Sequence, residues 1–168
     1  MNAASQTTSP VFEHAALSSR VVLDTNATLD WLVFGEAAMG ALGKAIEARD
    51  VRWLACPRMR EELSRTLAYP ALAKWKPDCE HTLSVFDHWV ELVPNPAIIA
   101  APGLNCSDKD DQVFIDLAVA GGARWLVTQD RALLKLRRRA AISGVTVLPP
   151  AQWRFNKARL APGSSAQA

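Results

Sequence analysis

Residues 20–26 read RVVLDTN, and they restrict the chain more than any other stretch. Val21, Val22 and Leu23 form an unbroken apolar run, the pattern of a short strand covered on both faces. The run ends at Asp24, Thr25 and Asn26 and passes at once into an amphipathic stretch. A carboxylate therefore stands where a first strand meets its helix. In open α/β sheets ligands bind at that carboxyl edge. Fold and function then turn on one question: whether other strands bring matching groups to the same edge.

Four further strands fit the pattern. VRWLAC at 51–56 and ARWLVT at 123–128 share the triplet RWL, which predicts the same role for both in one sheet. A short strand is expected at Glu91–Val93 and a last one at 144–148, GVTVL. Helices are expected between them. The first spans 27–34, with Leu29, Leu32 and Val33 on one side, and a second runs from Glu36 to Arg49 around Met39, Leu42, Ala45 and Ile46. Pro57 suits the first turn of a helix reaching Ala68, with Met59, Leu63 and Leu67 inward. Another runs from Asp78 to Val90, with Leu83, Phe86 and Val90 as its buried stripe. Val113, Phe114, Leu117 and Ala118 mark one closed by Gly121-Gly122, and residues 131–139 form a basic helical turn. This alternation predicts an α/β domain: a central parallel sheet flanked by helices on both faces.

A chain of 168 residues suits one domain, here 20–155, with 1–19 and 156–168 read as loose extensions. No apolar run approaches the roughly 18 residues a membrane span needs. The first 19 residues carry no Lys or Arg, which argues against a secretory or transit signal, so the cytoplasm is the expected location. Cys56, Cys79 and Cys106 are odd in number and contain no CxxC pair. Reduced, mostly buried thiols are expected, rather than disulfides or zinc ligands. His81 and His88 share a helix without a matching ligand set and are expected to be inert. Charge is uneven: residues 131–168 hold eight Lys or Arg and no acid. Such a block suits a polyanion, or else a solvated face.

Four carboxylates fall at comparable places. Asp24 ends strand one, Asp130 ends the RWLVT strand, Asp111 lies in the first turn of the preceding helix, and Glu62 is inside the helix after strand two. In a parallel sheet all four can converge on the carboxyl edge. Each has a plainer reading. Asp24 and Asp130 can cap helices. Ser107-x-x-Asp110 resembles a capping box, and acids in a first turn suit the helix dipole. Glu62 can sit on a solvated face. None of these explains why every acid falls on one edge. Clustered carboxylates repel one another and raise each other's pKa, and Mg²⁺ or Mn²⁺ is the natural counter-ion. Such ions activate water and stabilise in-line phosphoryl displacement. No Ser/His/Asp or Cys/His set competes, and neither GxGxxG after strand one nor GxxxxGK[ST] occurs.

VLDTN at 22–26, Glu62-Leu63 after a strand and Pro, DxxD at 108–111 leading into FIDLA, and LVTQD at 126–130 resemble the PIN-domain nucleases. The likeness covers residues 20–153, with every motif in order. It is strongest to bacterial PIN proteins assigned as toxins of type II toxin–antitoxin systems. It implies a Rossmann-like three-layer fold and Mg²⁺-dependent endoribonuclease activity, with Mn²⁺ as alternative. By this likeness Asp24, Glu62, Asp111 and Asp130 match the acidic quartet, and Asp24, Asp111 and Asp130 the metal ligands. Asn26 and Thr128 match supporting polar residues, and Asp108 a companion acid. It also implies an RNA substrate, an antitoxin partner encoded elsewhere and a homodimer, with no membrane involvement. Cys56 departs from the family, where Ser or Thr is frequent, and so does Gln129, usually a smaller residue, which would narrow the site.

Arg131, Lys135, Arg137, Arg138 and Arg139 follow the last acid and are candidates to contact an RNA backbone, or else to serve a helix end. The six tryptophans are expected mostly in the core, and Trp31 is the one considered for base stacking. Two other classes compete with a nuclease. A catalytically inactive PIN-fold module binding RNA or protein is opposed by the intact quartet. A haloacid-dehalogenase-like or receiver-like phosphotransfer domain is opposed by DTN in place of DxDx[TV], and by the lack of an acidic pair at strand one and a late-strand Lys.

Overall fold

A computed structural model describes residues 19–96 and 103–155. The two expected extensions, apart from Ser19, lie outside the described residues. Five parallel strands form one sheet in the order β3-β2-β1-β4-β5. They are β1 (Arg20–Leu23), β2 (Arg52–Ala55), β3 (Val90–Leu92), β4 (Trp125–Val127) and β5 (Thr146–Leu148). Among the described residues the seven α-helices are α1 (Thr25–Leu32), α2 (Gly40–Glu47), α3 (Pro57–Leu67), α4 (Cys79–Trp89), α5 (Gln112–Ala120), α6 (Arg131–Leu134) and α7 (Arg137–Ala140). The fold is the expected α/β arrangement, with strands shorter than their apolar runs because ladder pairing covers three or four residues of each.

The RWL repeat has a physical meaning. Val21 of β1 pairs with Trp53 on one side and Trp125 on the other, and Val22 pairs with Leu54 and Leu126. The two copies thus flank the central strand in identical register. Paired residues of a parallel sheet share a face, so the tryptophans go to one layer and the leucines to the other. Trp53 is fully buried and packs its ring 5.5 Å from Trp31 of α1 and 4.9 Å from Phe86 of α4. Trp125 meets Trp153 at 5.7 Å. On the other face Leu54 meets the end of α5, where an added Cβ on Gly121 would lie 2.6 Å from Leu54 Cδ1.

Local differences have local causes. The stretch expected as one helix from Glu36 opens as a 3-10 turn, Ala37–Met39, and becomes α-helical only at Gly40. Gly43 then faces Trp31, and a Cβ there would come within 2.5 Å of the indole nitrogen. Trp31 is therefore wedged between Gly43 and Trp53, which makes it a packing residue. Of the stripe expected on α4, Phe86 is fully buried, Leu83 and Val90 only partly, and Thr82 joins them. The basic turn is two short helices, α6 and α7. Cys56 and Cys106 are buried, Cys79 is exposed, and all three are free.

The chain builds outward from β1 to β2 and β3, then crosses back to β4 on the other side. The carboxyl end of β1 therefore lies at the reversal point, where an α/β sheet opens a crevice.

Candidate active site

Asp24 follows β1 and is 3% exposed. Its Oδ1 accepts the Ala27 amide at 2.6 Å, capping α1, and its Oδ2 accepts the Thr128 hydroxyl. Thr128, fully buried beyond β4, accepts the amide of Asp130 at 2.9 Å with the same oxygen. Asp130 then caps α6, its Oδ1 accepting the amides of Ala132 at 2.6 Å and Leu133 at 3.1 Å. The plain reading of these two acids as helix caps is thus correct. It is also what fixes them at the edge: each carboxylate is held by the first turn of the helix it starts, and one threonine ties the two together.

Glu62 lies in the second turn of α3 and is half-buried rather than solvated. Its Oε1 accepts the Thr25 hydroxyl at 2.7 Å. Asp111 stands one residue before α5, at the N-cap position, with helical dihedrals and no capping bond from its side chain. Because the helix starts at Gln112, Ser107 and Asp110 do not form the capping box their spacing suggests, and the Asp111 carboxyl is not consumed by the helix. Asp108 is exposed and accepts the Asp110 amide at 2.9 Å, shaping the turn before α5.

Electrostatics bring the four acids into one site. Burial pushes the Asp111 carboxyl up to about 7, reinforced by the charges of Asp130, Asp108, Asp24 and Glu62 in that order. Charges in a partly buried site are screened less than exposed ones. The acids that the sequence placed on the edge, and the companion Asp108, therefore all act on Asp111. Burial also pushes Asp24 up to about 6, against the opposing pull of its bonds to Thr128 and Ala27, while Asp130 and Asp30 add to the rise. Hard oxygen donors whose charges oppose one another suit a hard divalent cation. Among the described residues no three Asp, Glu, His or Cys groups are already closed around such a point. The donor chemistry fits a divalent ion.

Beside the acids lies a basic flank. Arg131, Lys135, Arg137, Arg138 and Arg139 are all exposed. The first four, with Leu134, line an open cleft of about 460 Å³. Lys135, Arg138 and Arg139 line a second of about 390 Å³ with Ser107 and Asn105. Lys135 and Arg138 line both. Arg139 donates to the Gly103 carbonyl at 3.1 Å, tying α7 to the loop before α5.

Some expected features differ in detail, and some residues escaped the sequence reading. Asn26 is exposed in the first turn of α1. Gln129 turns toward α1, its amide donating to Asp30 Oδ2 at 2.7 Å. Cys56 occupies the N-cap position of α3 without a capping bond from its side chain, the bond a Ser or Thr there would supply. His81 and His88 are exposed on α4, away from the acids. Thr25 and Asp30 were missed. Asp30 lies one turn beyond Asn26, a spacing that puts both on one side of α1. Thr25 gave no signal, because its partner is 37 positions away.

Comparison with known proteins agrees with this geometry. A family model described as PIN domain matches residues 20–132. No curated protein matches the chain. Among solved structures, the chain is similar to one chain of the crystal structure of VapBC2 from Rickettsia felis bound to a DNA fragment from their promoter. The TM-score is 0.55 at 16% identity, covering 76% of this chain and 96% of that one, a likeness of fold. PIN domains are generally nucleases. With the family model spanning most of the sheet and all four acids, the chain belongs to the PIN-domain family.

Proposed function

We propose that this protein is a metal-dependent endoribonuclease and the toxin half of a toxin–antitoxin pair, acting in the cytoplasm. The observation that carries the reading is the setting of Asp111, whose carboxyl is pushed up to about 7 by burial and by Asp130, Asp108, Asp24 and Glu62 together. Four acids at the reversal point of the sheet have no structural purpose that requires their mutual repulsion.

Asp24, Asp111 and Asp130 would hold Mg²⁺, or Mn²⁺ in its place, and bound there the ion would supply Lewis-acid activation of the phosphodiester and of water. The protein's own groups do the rest. Thr128 orients Asp24 and supports the backbone of Asp130, so the two ligands move as one body. Glu62 adds a fourth negative charge from the facing helix. Asn26 and Asp108 would support the acids from the first turn of α1 and the turn before α5. Arg131, Lys135, Arg137 and Arg138 hold the RNA backbone in the cleft that begins beside Asp130, and Arg139 steadies that flank. Family membership and the fold shared with a chain of VapBC2, a complex on promoter DNA, support an antitoxin as partner; a homodimer is the proposed assembly.

The test is incubation of the purified protein with a mixed RNA pool, with and without Mg²⁺ or Mn²⁺, beside Asp24→Asn and Asp130→Asn. Metal-dependent cleavage lost in both variants supports the reading. Equal cleavage by wild type and variants, or none by a folded wild type under any metal, rejects it.

A further inference from the structure

We infer that Thr25 is a positioning residue for Glu62, an inference that rests on the nuclease reading above. Glu62 is the acid with the least reason to be in the site. It comes from the second turn of α3 on a long, flexible side chain, whereas Asp24 and Asp130 are locked by the helices they cap. Left alone, such a side chain samples several rotamers. Thr25 removes that freedom. Its hydroxyl donates to Glu62 Oε1 at 2.7 Å in a half-buried setting.

The donor is itself rigid. Thr25 is the first residue of α1, immediately after the capping Asp24, and a β-branched side chain in a helix has few χ1 options. Glu62 is fixed from its backbone side as well, where its carbonyl accepts the Thr66 hydroxyl at 2.8 Å. The contact engages one carboxylate oxygen and leaves the other for a ligand or substrate. The charge held this way is among those that raise Asp111. Thr25 thus does for Glu62 what Thr128 does for Asp24: one hydroxyl from each side of the crevice holds one acid.

A purely structural staple between α1 and α3 is the competing account, and four variants separate the two: Thr25→Val, Thr25→Ser, Glu62→Gln and the double variant Thr25→Val/Glu62→Gln. Cleavage of an RNA pool is followed under single-turnover conditions with protein in excess, so that slow variants stay measurable. Thr25→Val is expected to lower the maximal rate about tenfold. The half-saturating protein concentration should stay within about twofold, and Thr25→Ser should restore the rate to within about twofold. In the Glu62→Gln background Thr25→Val should change the rate by less than about twofold, because the group it positions is gone. An equal loss in both backgrounds, a failure of Thr25→Ser to rescue, or no loss at all overturns the inference. Melting of the same four proteins is read in parallel. A folded wild type that cleaves no RNA fails the nuclease reading, and the inference falls with it. If the wild type cleaves, a loss of melting temperature in Thr25→Val without the rate loss leaves only the staple and overturns the inference.

Discussion

Asp24→Asn should stabilise the metal-free protein while abolishing its activity, and the structure gives the size of the effect. Asp24 is 3% exposed, and burial lifts its carboxyl from 3.8 to about 6. At ~1.4 kcal/mol per pH unit, keeping it ionised at neutral pH costs the fold about 3 kcal/mol. The sign follows from proton binding. Between 3.8 and about 6 the folded state keeps a proton that the unfolded state has released. The stabilising contribution is therefore complete below the lower value and lost as pH rises through the upper one. Asparagine removes the charge and keeps an oxygen for the Ala27 amide. Its amide group must donate to Thr128, so that hydroxyl loses its acceptor, a setback of about 1 kcal/mol. The net expectation is a gain of about 1–3 kcal/mol near neutral pH, or roughly 3–9 °C in Tm for a domain of this size. The assay is thermal unfolding of wild type and variant in a chelator across a pH series. The gap should be widest at neutral pH and close on acidification. Saturating Mg²⁺ should raise the Tm of the wild type more than that of the variant. A variant that melts at or below wild type at neutral pH without metal, or a gap that does not close in acid, refutes the reasoning.

Three further outcomes are expected. Thr128→Val removes the hydroxyl that holds the Asp24 carboxyl down, so the acid limb of the RNA-cleavage profile should move to higher pH by about one unit; a pH–rate series checks it. Lys135→Ala with Arg138→Ala removes the two cations that line both basic clefts, and the slope of log affinity against log salt for single-stranded RNA should fall by about 0.7 per lost phosphate contact, read by fluorescence anisotropy on the metal-free protein. Gly43→Ala places a methyl within 2.5 Å of Trp31 Nε1 and should destabilise by about 1–3 kcal/mol in urea unfolding, without altering the acids.

Much of this was legible in the chain because strands and acids share one piece of syntax: an apolar run, then a carboxylate. VVLDTN and WLVTQD each state a strand, its end and a side chain at the crevice. The repeated RWL even anticipated the common register beside β1. What stayed hidden depends on contacts between segments. Glu62 reads as a surface residue until α3 is set against α1, and Thr25 shows its role only once that packing exists. Trp31 looked available for stacking because Gly43 gives no sign, in sequence, of the space it leaves. The caps were readable as caps, and capping does not exclude the proposed active-site role, since it fixes both carboxylates at the sheet edge.

The strand order has a consequence for synthesis on the ribosome. Asp24 and Glu62 belong to the half of the sheet made first, β1 to β3, whereas Asp111 and Asp130 arrive with α5, β4 and α6. Because β4 pairs with β1 rather than with β3, its predecessor in sequence, the two pairs of acids meet only when late chain folds back onto the oldest strand. A nascent chain that has completed β3 holds half of the acids and no basic flank. On the nuclease reading, the acids made first therefore stay incomplete until α5, β4 and α6 have emerged and β4 has paired with β1.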